Sequence, residues 1–220
     1  SLEQDLERRD FTINAMALDI DQTIIDPFSG KQDLIDKVIR AVGDADRRFK
    51  EDALRMLRAV RIASQLKFSI SKETLSAIQT EAELIQHISG ERIRDEFLKI
   101  LMTATPSESI TLLDEVGLLQ YILPELLEAK GVEQAHHHIY DVWKHSLLAV
   151  EHCPSRDPIV RLASLLHDIG KPRTADRSSG TITFYNHEVM GSRMVKEIGA
   201  RLKLSKHDTQ RLFTLVRWHM

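Results

Sequence analysis

The sequence predicts a mainly α-helical protein with a little strand near its N-terminus. From Leu34 onward, apolar residues recur at spacings of three and four, which is typical of amphipathic helices. Near the N-terminus, the alternation of apolar and polar residues that indicates a strand covers residues 17–25, and short extended pieces are expected on either side of a turn at residues 178–180. The composition, with 42% hydrophobic, 29% charged and 5% aromatic residues, is that of an ordinary helix-rich globular chain.

The bulk properties of the chain exclude several classes of protein. Its 220 residues allow one large or two small domains, and none of its apolar runs reaches the roughly 18 residues of a membrane helix. Cys153 is the single cysteine, so the chain forms no internal disulfide, and we expect a cytoplasmic protein without a membrane partner. The chain starts at Ser1 and ends inside an apolar-periodic stretch, which favours a piece of a longer protein.

The first half is predicted to contain a short strand region followed by helices. Turn-forming residues at 26–30 end the strand material. An apolar stripe over residues 50–66 predicts one continuous amphipathic helix. Ser71, with Thr74, carries the signature of a helix start. Further helices are predicted over 71–84, 91–102 and 106–116.

The second half is predicted to be a separate helical domain. Pro124 and Gly131 flank the segment that we take as its boundary. Its expected elements are a histidine-rich helix over about 138–152, an apolar helix over 159–169 stopped by Gly170, a helix capped by Asn186, and a last helix capped by Ser205 with Asp208.

A row of charged residues accompanies the apolar stripe of the predicted helix 50–66. Asp52 and Arg55 are three residues apart, so their side chains are neighbours on a helix. A carboxylate accepts and a guanidinium donates, so a fixed pair of this kind can match the edge of a nucleobase. Arg58 and Arg61 continue the row, and their planar forks suit phosphate oxygens. The alternative is a set of helix-stabilising ion pairs, each worth about 0.2–0.5 kcal/mol, which spacing alone favours.

Four sequence motifs in the first 128 residues point to a known family. The chain contains RRDFTINAMA, then DPFSGKQDL, EDALRMLRAVRIASQLKF and ISGERIRDEFLKIL, in that order. This series resembles the bacterial class II tRNA nucleotidyltransferase and poly(A) polymerase family. The resemblance implies that residues 1–30 end an α/β nucleotidyltransferase head and that residues 31–128 form a helical neck that selects nucleotides and binds RNA.

The resemblance also implies an activity and its residues. Enzymes of this family add C, C and A, or only the terminal A, to tRNA 3′ ends from CTP and ATP, without a nucleic-acid template. By similarity, Asp52 and Arg55 would select the base, while Asp10 and Asn14 would organise the site. A poly(A) polymerase is the alternative within the family. The implied nucleotide-binding residues are Arg9, Asp52, Arg55, Arg58 and Arg61.

The residues that carry the transfer chemistry are expected to lie outside this sequence. In the family, two carboxylates on a strand after a Gly-Ser turn hold Mg²⁺ ions and precede the arginine pair. No Gly-Ser turn followed by Asp-x-Asp occurs before Arg8. We therefore expect no catalytic residue for nucleotidyl transfer here, and no transfer by this chain alone.

The second half carries a histidine cluster with the spacing of a metal site. In SLLHDIGKP, His167 and Asp168 end an apolar helix, where an imidazole and a carboxylate are costly to bury unpaired. A metal ion would satisfy both side chains. His145 lies on the preceding predicted helix, and packing of the two helices can bring it to the same point. One histidine alone is more often a surface or core residue than a ligand.

This pattern resembles the HD metal-dependent phosphohydrolase superfamily, an all-helical fold, here over residues 129–220. The resemblance implies His145, His167 and Asp168 as metal ligands, His187 and His219 as additional candidates, and Lys171 as a phosphate contact. We do not locate the superfamily's last ligand, an aspartate, in this sequence. The ligand types do not identify the divalent ion, because imidazole and carboxylate groups suit several ions.

The resemblance implies hydrolysis of phosphomonoesters or 2′,3′-cyclic phosphates by a water whose pKa the ion lowers towards about 7. The alternative is an inactive HD domain that serves only for binding or dimerisation. The oligomeric state is not predicted.

Overall fold

The computed structural model describes residues 2–134, 139–178 and 180–220. The chain divides into two compact units, one comprising residues 1–88 and 112–118 and the other residues 89–111 and 119–220. Helices dominate both units, which confirms the predicted mainly α class. Within the described residues, we find no helix with the length and apolarity needed to cross a bilayer.

The first unit contains two small two-stranded sheets. Strand β1 (Ala17–Leu18) pairs antiparallel with β2 (Ile24–Ile25), and β3 (Val38–Ile39) pairs parallel with β4 (Ser69–Ile70). The strand predicted over 17–25 is therefore a hairpin, because the residues between β1 and β2 form its turn. The helices of this unit are α1 (Leu2–Glu7), α2 (Gly30–Asp36), α3 (Ala45–Glu51), α4 (Leu54–Leu66) and α5 (Lys72–Glu81), with 3₁₀ segments at Thr12–Asn14 and Ala82–His87.

The prediction of one continuous helix over residues 50–66 is wrong, because the structure has two helices there. Asp52 lies between α3 and α4 with an extended backbone, φ −154° and ψ 99°. Its carboxylate accepts a hydrogen bond from the Leu54 backbone N–H at 3.2 Å. Aspartate offers the backbone this alternative to the helical hydrogen bond, which explains the break.

The core of the first unit lies under α4, as the apolar stripe predicts. Met56, Leu57 and Val60 of this helix are at most 1% exposed. Phe11 and Phe49, both fully or almost fully buried, complete the same unit's core. Burial of each such side chain contributes about 1.5–3 kcal/mol relative to exposure. This packing anchors the chain before the Asp52 break and the helix after it.

The second unit is a bundle of helices. Helix α13 packs against α14, and α11 packs against α6, α10 and α14. The helices of this unit are α6 (Gly90–Leu101), α8 (Leu119–Ile122), α9 (Pro124–Leu127), α10 (Val142–Glu151), α11 (Pro158–Leu166), α12 (Lys171–Thr174), α13 (His187–Arg201) and α14 (Lys206–Arg217), and the residues of α7 (Pro106–Glu115) are divided between the two units.

The helix ends follow the capping signals with three exceptions, the first being α11, which was predicted to run to residue 169 and ends at Leu166. Ser71 and Ser205 accept hydrogen bonds from the backbone N–H groups three residues on, as predicted. Asn186 precedes α13, but its φ is 61° and its side chain makes no cap hydrogen bond. The histidine-rich helix begins later than predicted, because Asp141 caps it by accepting from the Lys144 N–H. His136, His137 and His138 lie outside the described residues.

The compact units differ from the predicted domains 1–30, 31–128 and 129–220. Helix α6, assigned to the neck, belongs to the same unit as the helices assigned to the HD domain. Arg161 of α11 donates a hydrogen bond to the Leu101 carbonyl at the end of α6, at 2.8 Å. The domain boundaries stay a prediction, since a packing unit is not a sequence domain.

Candidate functional site

The His-Asp pair lies where α11 ends, and a glycine allows α13 to approach it. His167 follows the last residue of α11, and Asp168 is buried, with 2% of its surface exposed. A Cβ atom added to Gly170 would lie 2.1 Å from the backbone oxygen of His187. Only glycine therefore lets this turn pack against the start of α13, which brings His187 to Asp168.

The three residues predicted as metal ligands come together. The Nε2 atoms of His145 and His167 are 3.0 Å apart. They lie 3.4 Å and 3.1 Å, respectively, from Oδ2 of Asp168. These ligand atoms all lie within 4.8 Å of one another, which is close enough to share one ion.

The two additional histidine candidates form a second group on the other oxygen of the same carboxylate. Oδ1 of Asp168 lies 3.4 Å from Nε2 of His187 and 3.6 Å from Nε2 of His219. The two Nε2 atoms are 3.4 Å apart. Asp168 therefore lies between two groups of imidazole nitrogens, which we call the HD cluster: His145, His167, Asp168, His187 and His219.

Hydrogen bonds fix the orientation of three rings in the HD cluster. Nδ1 of His167, His187 and His219 lies 2.8–2.9 Å from a backbone carbonyl oxygen, three residues earlier in each case. A carbonyl only accepts, so Nδ1 carries the hydrogen, and in the neutral ring Nε2 presents a lone pair. Nε2 is therefore the atom of each ring that faces Asp168: it donates to the carboxylate when the ring is protonated and offers a lone pair to a cation when the ring is neutral.

The charge of Asp168 is stabilised by its neighbours. Burial opposes ionisation, but hydrogen bonds from His167 and His187 and the charge of Lys171 outweigh it and hold the pKa of Asp168 far below its usual value. Nζ of Lys171 lies 2.7 Å from Oδ2 of Asp168 and 2.7 Å from Oε1 of Gln134. Lys171 is thus adjacent to the cluster, and its contact with phosphate stays a prediction.

The two histidines of the second group have pKa values shifted in opposite directions. For His187, burial lowers the pKa, but the hydrogen bonds to Asp168 and to the Phe184 carbonyl outweigh burial and raise it. For His219, burial and the nearby His167 lower the pKa despite the Val216 carbonyl. A neutral imidazole is the form that binds a metal ion, and His219 is held in that form.

In the first unit, the guanidinium of Arg55 is fixed by three protein acceptors. Its Nη1 lies 3.3 Å from a carboxylate oxygen of Glu51 and 3.3 Å from the Arg48 carbonyl. Its Nη2 donates to the Arg8 carbonyl at 2.9 Å. Asp52 precedes it at the break between α3 and α4. Arg55 is therefore held in one orientation beside Asp52.

Arg58 is bound to Asp10, which Asn14 also contacts. Nε and Nη2 of Arg58 lie 2.8 Å and 2.5 Å from Oδ2 of Asp10. Oδ1 of Asp10 accepts from Asn14 Nδ2 at 3.1 Å and from the Phe11 N–H at 2.9 Å. Burial raises the pKa of Asp10, but the hydrogen bonds from Asn14 and Arg58 outweigh burial and lower it overall. Asp10 and Asn14 thus organise this turn.

The remaining two predicted nucleotide-binding residues have other partners. Arg9 forms an exposed ion pair with Asp5 of α1 at 2.8 Å. Arg61 donates to Gln65 one turn further along α4, at 2.6 Å. Arg55, Arg58 and Arg61 thus contact three different partners, Glu51, Asp10 and Gln65, and the nucleotide-binding role of the five residues stays a prediction.

An open depression of about 510 Å³ lies beside Arg55. The sequence did not assign Arg48 to a site, although it falls in a locally basic window. Its side chain is 5% exposed, and among the described residues its Nε has no hydrogen-bond partner. The residues lining the depression are Gln4, Glu7, Arg8, Arg47, Arg48, Glu51 and Arg55.

Comparison with known proteins accounts for most of the chain. Residues 1–40 match the family described as "Poly A polymerase head domain", residues 67–130 match "Probable RNA and SrmB-binding site of polymerase A", and residues 136–220 match "HD domain". The chain belongs to the tRNA nucleotidyltransferase and poly(A) polymerase family. The recognition made from its motifs is confirmed.

Individual relatives agree with the family. The chain is 38% identical over 231 residues to the A-adding tRNA nucleotidyltransferase of Deinococcus radiodurans, covering 100% of the chain and 53% of the relative. It is 38% identical over 226 residues to the Multifunctional CCA protein of Neisseria meningitidis, with 100% and 53% covered. It thus spans about half the length of these relatives.

A solved structure supports the fold. The chain resembles the CCA-adding enzyme of Bacillus stearothermophilus in complex with CTP, with a TM-score of 0.63 and 30% identity. The match covers 97% of this chain and 55% of that one. The helical architecture of the chain is therefore that of a CCA-adding enzyme's corresponding part.

Proposed function

We propose that residues 129–220 form a metal-dependent phosphohydrolase site, in a protein that also adds CCA or the terminal A to tRNA 3′ ends. The observation that carries the first part is the convergence of four imidazole Nε2 atoms on the two oxygens of Asp168. Three of these rings are oriented by their own backbone carbonyls before any ligand arrives. Preorganised ligands of this kind are typical of catalytic metal sites.

The HD cluster suits one or two divalent ions. His145 and His167 would hold an ion with Oδ2 of Asp168, and His187 and His219 would hold a second with Oδ1. Imidazole and carboxylate ligands suit several divalent ions, so the chemistry of the ligands does not choose among them. A divalent cation bound there supplies a Lewis acid and lowers the pKa of water towards about 7.

The substrate that we propose is a phosphomonoester or a nucleoside 2′,3′-cyclic phosphate. In hydrolysis of the cyclic ester, the oxygen of water forms a new bond to phosphorus and one phosphorus–ribose oxygen bond breaks. The freed ribose oxygen takes up a proton, so no oxidant or reductant is needed. The ammonium of Lys171, next to Asp168, supplies positive charge where the phosphate would lie.

The test of this site is metal content together with hydrolysis of cytidine 2′,3′-cyclic phosphate. We expect His167→Ala to lose bound divalent ion and to lower hydrolysis at least about 100-fold, as loss of a metal ligand or its support does. His207→Ala is the matched control, because the His207 side chain is 79% exposed and its ion pair is with its neighbour Asp208, outside the HD cluster. A chain that holds no ion, or a His167→Ala variant with unchanged hydrolysis, would show that the HD domain serves binding or dimerisation instead.

The second part of the proposal concerns nucleotidyl transfer by the whole protein, with tRNA, CTP and ATP as substrates and Mg²⁺ in the head domain. The names of the relatives favour A- or CCA-addition over poly(A) synthesis. The fixed Arg55 beside Asp52 supports a role of this pair in choosing the base. Such an enzyme would act in the cytoplasm, where its tRNA substrate lies.

The test of nucleotidyl transfer uses the full-length protein with tRNA and each nucleoside triphosphate. We expect addition to stop after CCA or after a single A. Long tails made from ATP alone would identify a poly(A) polymerase. The Asp52→Ala variant should lose discrimination between CTP and ATP more than it loses overall transfer, because a base-selecting residue changes relative rates.

A further inference from the structure

Trp218 is a large, exposed aromatic residue that adjoins the HD cluster along the chain. It follows the last residue of α14, immediately precedes His219, and is 70% exposed. Its ring nonetheless makes a cation–π contact within the protein, because the guanidinium of Arg217 lies 4.6 Å from the ring centroid. Arg217 in turn donates to the carboxylate of Glu188 at 3.1 Å, and Glu188 is buried. One face of the indole is therefore supported.

Trp218 is the chain neighbour of His219, one of the predicted metal ligands. The ring of the next residue, His219, lies 5.2 Å from the ring of His167 and 5.3 Å from that of His187, centroid to centroid. A second aromatic residue, Tyr185, is 77% exposed and lies two residues before His187. Exposed aromatic side chains thus adjoin two of the cluster's histidines along the chain.

We infer that Trp218 is a specificity-determining residue of the HD site, which stacks on the base of a nucleoside phosphate whose phosphate lies at the cluster. This inference rests on the proposed hydrolase function and names its substrate class, the 3′ end of an RNA or a free nucleotide. Base–aromatic stacking tolerates every base, because each has a π face. The Arg217 guanidinium behind the indole adds a cation–π contact that holds the platform in place.

Fluorescence tests this inference without relying on hydrolysis. The chain has two tryptophans, so in a Trp143→Phe background the emission comes from Trp218 alone. We expect adenosine 3′-phosphate and cytidine 3′-phosphate to quench it when Mn²⁺ is present, and ribose 5-phosphate to leave it unchanged. Trp143→Phe itself is the matched control and should bind these nucleotides as tightly as the original chain. Quenching of equal size by ribose 5-phosphate would overturn the inference.

Steady-state kinetics separates stacking from a general structural effect. Trp218→Ala should raise KM for cytidine 2′,3′-cyclic phosphate about tenfold, as expected for one lost base stack, with little change in kcat. The same variant should hydrolyse methyl riboside 2,3-cyclic phosphate, which has no base, at the original rate. Trp218→Phe should restore most of the affinity for the nucleotide.

The outcomes distinguish this inference from the proposed function. If Trp218→Ala leaves KM for the cyclic nucleotide unchanged while His167→Ala abolishes hydrolysis, the site is a hydrolase and the stacking inference is wrong. If the original chain hydrolyses nothing but Trp218 is quenched by nucleotides alone, the stacking platform stands and the hydrolase proposal fails. Absence of both hydrolysis and nucleotide-dependent quenching overturns both.

Discussion

The HD cluster and the arginines of the first unit differ in how their charges are compensated. Arg58 is matched by the carboxylate of Asp10, and Arg55 by the carboxylate of Glu51. In the HD cluster, four imidazole Nε2 atoms lie around the single carboxylate of Asp168. Apart from Nε of Arg48, the described arginine region is electrostatically satisfied within the protein, whereas the HD cluster is a set of imidazole and carboxylate ligands that suits an added cation, although Lys171 also contacts Asp168. A charged residue in a motif therefore supports a functional prediction only when the partners that its charge already has in the protein are also known.

The largest expected effect concerns the backbone contact that assembles the HD cluster. Gly170→Ala would place a Cβ 2.1 Å from the His187 carbonyl oxygen, so α13 must shift. We expect a loss of about 3 kcal/mol in unfolding free energy, at the upper end for overpacking, together with loss of metal binding. Urea unfolding and metal analysis measure both.

Gly199→Ala is the control for this prediction. Its nearest contacts are side-chain atoms of Thr209 at 3.1 Å and 3.2 Å, which can move, and it lies inside α13, where alanine is favoured. Equal destabilisation by both variants would contradict the role given to the Gly170 backbone contact.

Metal binding should stabilise the chain, because the ion binds the folded cluster and the unfolded chain offers no such arrangement. At a free ion concentration 100 times the dissociation constant, the gain is about 2.7 kcal/mol. For a domain of this size we expect a rise in Tm of roughly 5–10 °C on adding Mn²⁺, measured by calorimetry. The His207→Ala chain should show the same rise, and His167→Ala a much smaller one. An unchanged Tm in the original chain would contradict the claim that the HD cluster, unlike the arginine region, binds an added cation.

The pair of Asp10 and Arg58 tests the claim that the arginine region is internally satisfied. Asp10→Asn should cost about 2 kcal/mol at pH 7, because it removes a charged hydrogen-bond acceptor from a half-buried guanidinium. Since the pKa of Asp10 is lower in the folded state, its contribution is present above its unfolded pKa and is lost as pH falls through the folded value.

Urea unfolding of both chains at pH 7 and pH 3 measures this effect. The difference between the two chains should shrink at the lower pH. The Asp5→Asn variant, which removes the exposed partner of Arg9, should change stability by less than about 1 kcal/mol at either pH. A pH-independent penalty for Asp10→Asn would contradict the ionised pair.

The smallest expected effect concerns Glu51, which contacts three arginines: Arg47, Arg48 and Arg55. Glu51 is 39% exposed, so Glu51→Gln should change stability by only about 0.5–1 kcal/mol. In the full-length protein, we expect it to raise KM for CTP and ATP by loosening Arg55. An unchanged KM would show that the carbonyls of Arg8 and Arg48 suffice to hold that guanidinium.

Local signals in the sequence predicted much of the fold and the residues that meet in the HD cluster. Ser71 and Ser205 marked helix starts because a capping hydroxyl acts within three residues. His167 and Asp168 were recognisable because two polar side chains ended an apolar helix. Adding His145 required only that two successive helices pack side by side, which they do.

Several features of the structure could not be predicted from the sequence. The pairing of Asp10 with Arg58 joins residues 48 positions apart, so the helical spacing of Arg58 gave no hint of it. The break at Asp52 depends on an aspartate competing for one backbone N–H, within an otherwise helical pattern. Gln134, which binds Lys171, lies in a stretch without periodicity. Tertiary partners decided the first and third cases, and a local side chain–backbone hydrogen bond decided the second.

The central claim is that Asp168 holds divalent ions between two groups of histidines. Titration calorimetry with Mn²⁺ on the original chain and on Asp168→Asn measures it most directly. The account predicts binding of one or two ions per chain in the original protein and no detectable binding in the variant. Equal binding by both proteins, or none by the original, would contradict it.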